Sequence, residues 1–272
     1  MYKRQIKTLC SAITQPHPTY SDIGVKSGDG SYQQLSDSLL QIENEFYSVI
    51  RPKRTAERGE TALSALANRG VEYIEVRCLD INPYLPVGIN QEQIDFLDTF
   101  LLYCLLADSP QSDTAECADI KENQSRMVYE GRDPDVRLID KGNERPMREW
   151  GNTLMSELEA VAQCLDQANN NQQHSNSVIR EKQKLNNAEL TPSAQILADM
   201  RAQDVTFYQL AANLSTFHQQ HFEQCPLGEQ GSVLAKMANA SITEQHALEQ
   251  ETAPSFDDYL ANYYSQYTCG QP

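Results

Sequence analysis

The chain has 272 residues, a formal net charge of −16 at pH 7 and a sequence pI near 4.7. So acidic a surface repels nucleic acids and anionic membranes, and no segment approaches the roughly 18 apolar residues of a membrane span, so neither partner is expected. The seven cysteines are scattered and form no CxxC pair, which favours a reduced, cytoplasmic protein over a disulfide framework.

The charge is unevenly distributed along the chain. Residues 1–70 contain nine Lys/Arg and seven Asp/Glu, whereas the remainder is strongly acidic. An anionic small ligand is therefore expected to bind near the first part of the chain.

Two segments in the first eighty residues predict β-strands. Apolar and polar residues alternate along 39–51 and again along 71–80, so that each strand has one apolar and one polar face. A short helix pattern at 61–69 separates them and ends at Gly70, the residue type typical of the position after a helix. The polar faces carry Glu43, Glu45, Tyr47 and Arg51 on the first strand and Tyr73, Glu75 and Arg77 on the second.

The rest of the chain predicts helices. Asn90 and Gln93 form a capping-box pattern that begins a helix over 91–107. Amphipathic patterns predict further helices at 114–130, 147–168, 175–186, 192–202, 204–223, 236–251 and 255–266. The fold class is therefore α+β, with residues 1–89 forming part of a sheet and residues 90–272 forming a helical region. Two strands do not make a stable sheet, so partner strands are expected from outside this chain.

The polar strand faces have two interpretations. An antiparallel strand commonly exposes a solvated face of Glu and Arg. Alternatively, carboxylates and arginines on adjacent strands line a cavity in which the carboxylates hold Mg²⁺ and the guanidinium groups hold phosphate. The basic cluster of Arg51, Lys53 and Arg54 is likewise either a solvated loop or a phosphate-facing group.

Longer strings carry a resemblance to a known family. QIENEFYSVIRPKR (41–54) and GVEYIEVRCLDINPYLPVGI (70–89) closely resemble consecutive segments of proteobacterial glutamate-cysteine ligases. The similarity continues more weakly through FLDTFLLYCLLADSP (96–110), MVYEGRDP (127–134) and LTPSAQIL (190–197). It corresponds to the carboxyl-terminal half of the family alone, and the opening residues 1–5 do not continue it, which suggests an arbitrary start.

The resemblance implies a glutamine synthetase-like antiparallel sheet that forms a funnel around ATP, Mg²⁺, L-glutamate and L-cysteine. It implies ligation of the glutamate γ-carboxylate to cysteine through γ-glutamyl phosphate, the first step of glutathione biosynthesis. Within the EYIEVR motif, Glu75 matches the metal-binding glutamate and Arg77 the catalytic arginine at the transferred phosphoryl group. On the preceding segment, Tyr47 either binds the cysteine substrate or is simply packed with its hydroxyl satisfied. The shared strings do not assign roles to Glu45 and Arg51, which are second-rank candidates to support the metal and the nucleotide.

The family's amino-terminal half supplies most of the acidic metal ligands and is absent. We therefore expect an incomplete catalytic unit whose partner is that missing half. The competing hypothesis is a helical interaction or regulatory module without catalysis, in which the strands serve only to pack and the acidic surface binds a protein.

Overall fold

The computed structural model describes residues 2–268, with side chains from Ile6 onward. Short antiparallel strand pairs accompany many helices, which confirms the α+β class. The chain divides into two compact units. Unit 1 contains the described residues up to Asp80 together with those from Leu227 onward, and unit 2 contains Ile81–Pro226. The residues after 226 thus belong with the predicted sheet region, although the sequence assigned them to the helical region.

Unit 1 begins with helices that the sequence patterns did not predict. Its elements are α1 (Tyr2–Thr14), α2 (Pro18–Ile23), a 3₁₀ turn (Glu43–Glu45), β1 (Ile50–Lys53), α3 (Ala62–Arg69), β2 (Tyr73–Val76), α10 (Gly228–Glu249) and α11 (Phe256–Ser265). As predicted, α3 ends at Gly70, whose φ of 74° is readily adopted only by glycine.

Strands β1 and β2 pair antiparallel, and Arg51 lies directly opposite Glu75. Because side chains alternate between the faces of a strand, Arg51, Lys53, Tyr73 and Glu75 share one face. Ile50 and Ile74 occupy the other face, where each remains about half exposed. The sheet therefore has a polar face that is rich in charge and an apolar face that is incompletely covered.

The core of unit 1 contains residues from both the early and the late part of the chain. Leu9, Cys10, Ile13, Leu63 and Tyr267 are buried together. Beside them, Gln266 holds the start of α3: its side chain accepts a hydrogen bond from the Thr61 amide at 2.8 Å and donates one to the Gly59 carbonyl at 2.9 Å. The residues after α11 thus help to fix the loop that connects β1 to β2.

Unit 2 is mainly helical. Its elements are α4 (Gln91–Leu106), α5 (Thr114–Glu130), β3 (Arg137–Asp140), β4 (Asn143–Pro146), α6 (Met147–Asn169), α7 (Gln173–Asn186), α8 (Pro192–Gln203) and α9 (Phe207–Glu223). The predicted capping box at Asn90 and Gln93 is present. Leu158, Ala162 and Val178 form a fully buried core between α6 and α7, against which Phe96 and Phe100 of α4 pack.

A buried carboxylate closes the turn between α6 and α7. Asp166 accepts hydrogen bonds from the amides of His174 at 2.9 Å and Ser175 at 3.0 Å, at the start of α7. The His174 ring lies 3.2 Å from the same carboxylate, and both residues are buried. Burial by itself raises the pKa of Asp166, but the hydrogen bonds from Ser175 and His174 outweigh it and leave the pKa below its ordinary value.

The predicted strand at 39–51 is wrong over most of its length, because only Ile50 and Arg51 lie in β1. Glu43 does not point from a polar strand face. It is buried, and its carboxylate accepts hydrogen bonds from the amides of Ala62 and Leu63 at the start of α3. These hydrogen bonds anchor Glu43, and Glu43–Glu45 form a 3₁₀ turn. The alternation of apolar and polar residues before Ile50 therefore does not reflect strand pairing.

The prediction that only the first third contains strands is also wrong. β3 and β4 form an antiparallel hairpin around Lys141 and Gly142, which both have positive φ. Two such residues are typical of a type I′ turn, and the Lys-Gly pair was the available signal. The expectation of reduced cysteines fails for Cys10, which is disulfide-bonded. Among the described residues, no helix combines the length and the apolar character that crossing a bilayer requires.

We predict that Asp166→Ala lowers the free energy of unfolding of unit 2 by about 2 kcal/mol at pH 7, since it leaves one buried and one partly buried amide without an acceptor. A carboxyl group whose pKa is depressed on folding stabilises the fold above its unfolded pKa, and that contribution is lost as the pH falls through the folded pKa. The difference between the variant and the wild type should therefore shrink below pH 3.8.

Urea unfolding followed by fluorescence measures this effect, because Trp150 is the single tryptophan and lies on α6. Asp108→Ala, at an exposed position, is the matched control and should change stability by less than about 0.5 kcal/mol. A constant difference from pH 7 to pH 3 would contradict the assigned role of the Asp166 carboxylate.

Candidate active site

The charged face of the β1–β2 sheet is the candidate active site. Arg77 follows β2 and extends the pairing, since its amide donates to the Val49 carbonyl at 2.7 Å. Its guanidinium Nε donates to Glu75 Oε1 at 2.7 Å, and its guanidinium carbon lies 5.2 Å from the centre of the Tyr47 ring. Three of the predicted site residues, Tyr47, Glu75 and Arg77, are therefore in contact.

Glu75 lies between two cations. Besides the bond from Arg77, Lys53 Nζ lies 3.3 Å from Glu75 Oε2, although the pair lacks the alignment of a hydrogen bond. The hydrogen bond from Arg77, aided by Lys53, holds the pKa of Glu75 below its usual value, and Glu75 in turn raises the pKa of Arg77. The carboxylate is therefore ionised at neutral pH and neutralised by its neighbours.

Arg51 lies opposite Glu75 but differs from its neighbours in having an unsatisfied donor. Its Nε is buried and donates no hydrogen bond, and its guanidinium carbon lies 5.4 Å from the centre of the Phe46 ring. A buried guanidinium donor without a partner is unfavourable by itself, and a phosphate or carboxylate oxygen would satisfy it.

The face as a whole is positively charged. Arg51, Lys53 and Arg77 outweigh the single carboxylate of Glu75, in a chain whose net charge is −16. From the sequence alone, Lys53 is part of a basic cluster and is not assigned to the site. Its spacing of two residues from Arg51 on a strand was the signal that places it on the same face. Arg54 leaves this face and pairs with Glu72 at 3.7 Å.

Glu45 is not brought to Glu75. Its Oε2 accepts a hydrogen bond from the Gln41 amide at 2.8 Å, so that it closes the loop before β1. Like Glu43, it belongs to the 3₁₀ turn rather than to a strand. Its role as a supporting ligand stays a prediction.

The residues fit a magnesium ion only in part. Glu75 Oε2 is buried and accepts no hydrogen bond, and a carboxylate oxygen is a ligand that Mg²⁺ prefers. Among residues 2–268, however, no group of three or more His, Cys, Asp and Glu side chains is placed to hold a metal. Glu75 thus suits one ligand of a site whose other ligands come from elsewhere.

The comparisons with known proteins agree with this geometry. The family model described as glutamate-cysteine ligase matches residues 2–127, which include both strands of the site. A glutamate-cysteine ligase from Saccharophagus degradans is 46% identical over 96% of this chain, and one from Alcanivorax borkumensis is 40% identical over 95%. The chain belongs to the glutamate-cysteine ligase family.

A solved relative supports the fold of the same region. The crystal structure of glutamate-cysteine ligase from Francisella tularensis in complex with AMP covers 98% of this chain with a TM-score of 0.87 and 32% identity. The chain covers 53% of that structure and 50% of the Saccharophagus degradans protein. It therefore spans about half the length of the glutamate-cysteine ligases that it matches.

The family match also corrects one expectation and supports another. It begins at residue 2, so the prediction that residues 1–5 do not continue the resemblance is wrong. The resemblance seen in separate strings from 41 to 197 extends over most of the chain, since the Saccharophagus degradans protein matches 96% of it.

The two glutamates of the 3₁₀ turn should differ in how much their substitution lowers stability. We predict that Glu43→Ala lowers the free energy of unfolding of unit 1 by about 2–3 kcal/mol, because two amides at the start of α3 lose their buried acceptor. Glu45→Ala removes one exposed hydrogen bond and should cost less than about 1 kcal/mol.

Amide hydrogen exchange across 61–69 measures this difference locally, with Glu45→Ala as the matched control. Equal loss of protection in both variants would show that Glu43 does not anchor α3.

Proposed function

We propose that this chain is part of an ATP- and Mg²⁺-dependent enzyme that joins the γ-carboxylate of L-glutamate to the amine of L-cysteine. The observation that carries the proposal is the cationic face of β1 and β2, which keeps an unsatisfied guanidinium donor at Arg51 and an ionised Glu75 beside Arg77. Membership of the glutamate-cysteine ligase family supplies the reaction, and the AMP complex of the solved relative supports a nucleotide substrate.

The proposed reaction has two steps. A γ-carboxylate oxygen of glutamate attacks the γ-phosphorus of ATP, and ADP leaves with the electrons of the broken P–O bond. The cysteine amine then attacks the acyl carbon of γ-glutamyl phosphate, loses a proton, and inorganic phosphate leaves. Both steps move negative charge over phosphate oxygens, so positioned cations are the main contribution that a protein makes.

Each proposed site residue would bind the substrate group or ion that suits its charge. Arg77 would bind the transferred phosphoryl group, and Arg51 would bind another phosphate oxygen of the nucleotide. Glu75 would contribute one oxygen ligand to Mg²⁺, which when bound neutralises charge on the phosphates. Tyr47, whose side chain is 67% exposed, would bind the cysteine substrate, and Glu45 would support the metal from a distance.

The missing Mg²⁺ ligands suggest that a further part of a full-length ligase completes the site. One carboxylate leaves the coordination sphere of Mg²⁺ incomplete, and full relatives are about twice as long. We propose that the part of a full-length ligase that this chain lacks, the amino-terminal half by resemblance, completes the site. The cytoplasmic location of the assembled enzyme stays a prediction.

We predict that the chain alone releases no phosphate from ATP above background with glutamate, cysteine and Mg²⁺. Co-expression with the part of the Saccharophagus degradans ligase that this chain does not cover should restore phosphate release and γ-glutamylcysteine formation. Glu75→Gln and Arg77→Ala should each lower that activity at least about 100-fold, the order expected for removing one preorganised charge from the reaction centre.

Two distant variants serve as matched controls. Glu189→Gln and Arg148→Ala change the same residue types at exposed positions of unit 2 and should leave the activity within about twofold. A folded, associated mixture that forms no γ-glutamylcysteine would rule out the proposed function and favour the interaction-module hypothesis.

Because Glu75 pairs with Lys53 and Arg77, we predict that Glu75→Gln, which lowers activity in the presence of metal, strengthens ATP binding in its absence. With EDTA present, Glu75 competes with phosphate oxygens for Lys53 and Arg77, so Glu75→Gln should tighten ATP binding about fivefold, as removing one charge about 4 Å away in water permits. Equilibrium dialysis with ATP measures it, with Glu189→Gln as the control. Weaker binding by Glu75→Gln under these conditions would show that Glu75 supports the nucleotide without competing for its cations.

A further inference from the structure

Helix α10 is a long helix that contributes nothing to the core. It covers Gly228–Glu249, about 33 Å, and none of its residues is buried. Its large apolar side chains are all at least half exposed: Val233 50%, Leu234 55%, Met237 63%, Ile242 51% and Leu248 52%. We call these five residues the α10 apolar row.

The α10 apolar row lies on one half of the helix. At 3.6 residues per turn, Val233, Leu234, Met237 and Leu248 fall within about 100° of the circumference, whereas Ile242 lies at the edge of that half, opposite Val233. The other half carries Lys236, Asn239, Thr243 and His246. Ser241 and Glu244 lie among these apolar side chains, and the same half also carries Glu249. The four clustered side chains form the side of the helix that is suited to pack against another surface.

A helix with so little buried surface needs a packing partner to be stable. Isolated helices are only marginally stable in water, and packing of an apolar face supplies most of their stability in proteins. A group of exposed large apolar residues on one side of a helix marks an interaction surface. By contrast, the neighbouring α11 buries Leu260, and Tyr267 just beyond it joins the core of unit 1.

The length of the relatives indicates what covers the row. The Francisella tularensis structure matches 98% of this chain at a TM-score of 0.87, so nearly all of the present fold occurs within a chain about twice as long. Nearly half of that relative lies outside the match. A second copy of this chain is a poorer occupant, because two chains of charge −16 repel each other.

We infer that the α10 apolar row is a docking surface for the part of a full-length glutamate-cysteine ligase that this chain lacks. The inference rests on the proposal that the complete enzyme needs that part, and it adds the surface by which the two parts associate. The partner surface is apolar, and the contact lies on a helix that carries none of the proposed site residues. Association through α10 is therefore separable from catalysis.

The test co-expresses this chain with the uncovered part of the Saccharophagus degradans ligase and measures association by co-purification and then by calorimetry. The double variant Leu234→Asp with Met237→Asp should weaken the dissociation constant at least tenfold. The matched control, Asn239→Asp with Thr243→Asp on the opposite half, adds the same charge and should leave it within about twofold. Amide exchange along 228–249 should slow on association in the wild type.

Each outcome decides the inference. No association of the wild-type parts, equal association of both double variants, or unchanged exchange in α10 on association would overturn it. Sedimentation equilibrium of the chain alone adds a further check, since a wild-type dimer lost in Leu234→Asp with Met237→Asp would assign the row to a second copy instead. Circular dichroism of the free variants shows that unit 1 still folds, which is expected because the row is exposed. Intact association without γ-glutamylcysteine formation would count against the proposed function alone.

Discussion

The antiparallel pairing of β1 with β2 places cations around one carboxylate, and the candidate site depends on it. The register sets Arg51 opposite Glu75 and brings Lys53 to the same face. A shift by one residue would move these side chains to the other face and leave Glu75 beside apolar residues. Because the face carries more positive than negative charge in a strongly acidic chain, it attracts anions where the rest of the surface repels them.

Groups distant in the sequence hold that pairing in place. The loop that joins the two strands passes through α3, whose first amides are held by the buried Glu43. Gln266, from the other end of the chain, bonds to Gly59 and Thr61 in the same loop. The hydrogen bonds to Glu43 and those to Gln266 restrict how the loop can move, and thereby limit how far β1 can slide along β2.

Several apolar surfaces and a buried polar group lack a partner among the residues that the structure describes. The apolar face of the β1–β2 sheet is half exposed at Ile50 and Ile74, Arg51 has a buried donor without an acceptor, and α10 presents an apolar row. Each is unfavourable for an isolated domain, and each is of the kind that further chain or ligand would satisfy. A chain that covers half of its relatives is expected to show this combination.

The sequence by itself determined the elements whose signals are local. The capping box of Asn90 and Gln93, the glycine that ends α3 and the contact between Glu75 on β2 and Arg77 just after it depend on residues a few positions apart, and the structure contains all three. The family strings likewise identified the relatives. Alternation failed at 39–51 because Glu43 is fixed by amides about twenty residues later, which no pattern in 39–51 encodes.

Only the tertiary structure decided which charges meet. The neutralisation of Glu75 by Lys53 as well as Arg77, the unsatisfied Nε of Arg51 and the separation of Glu45 from the site follow from strand register and loop anchoring. Electrostatic interactions fall off over a few ångströms, so their pattern depends on distances in space between residues that are far apart in the chain.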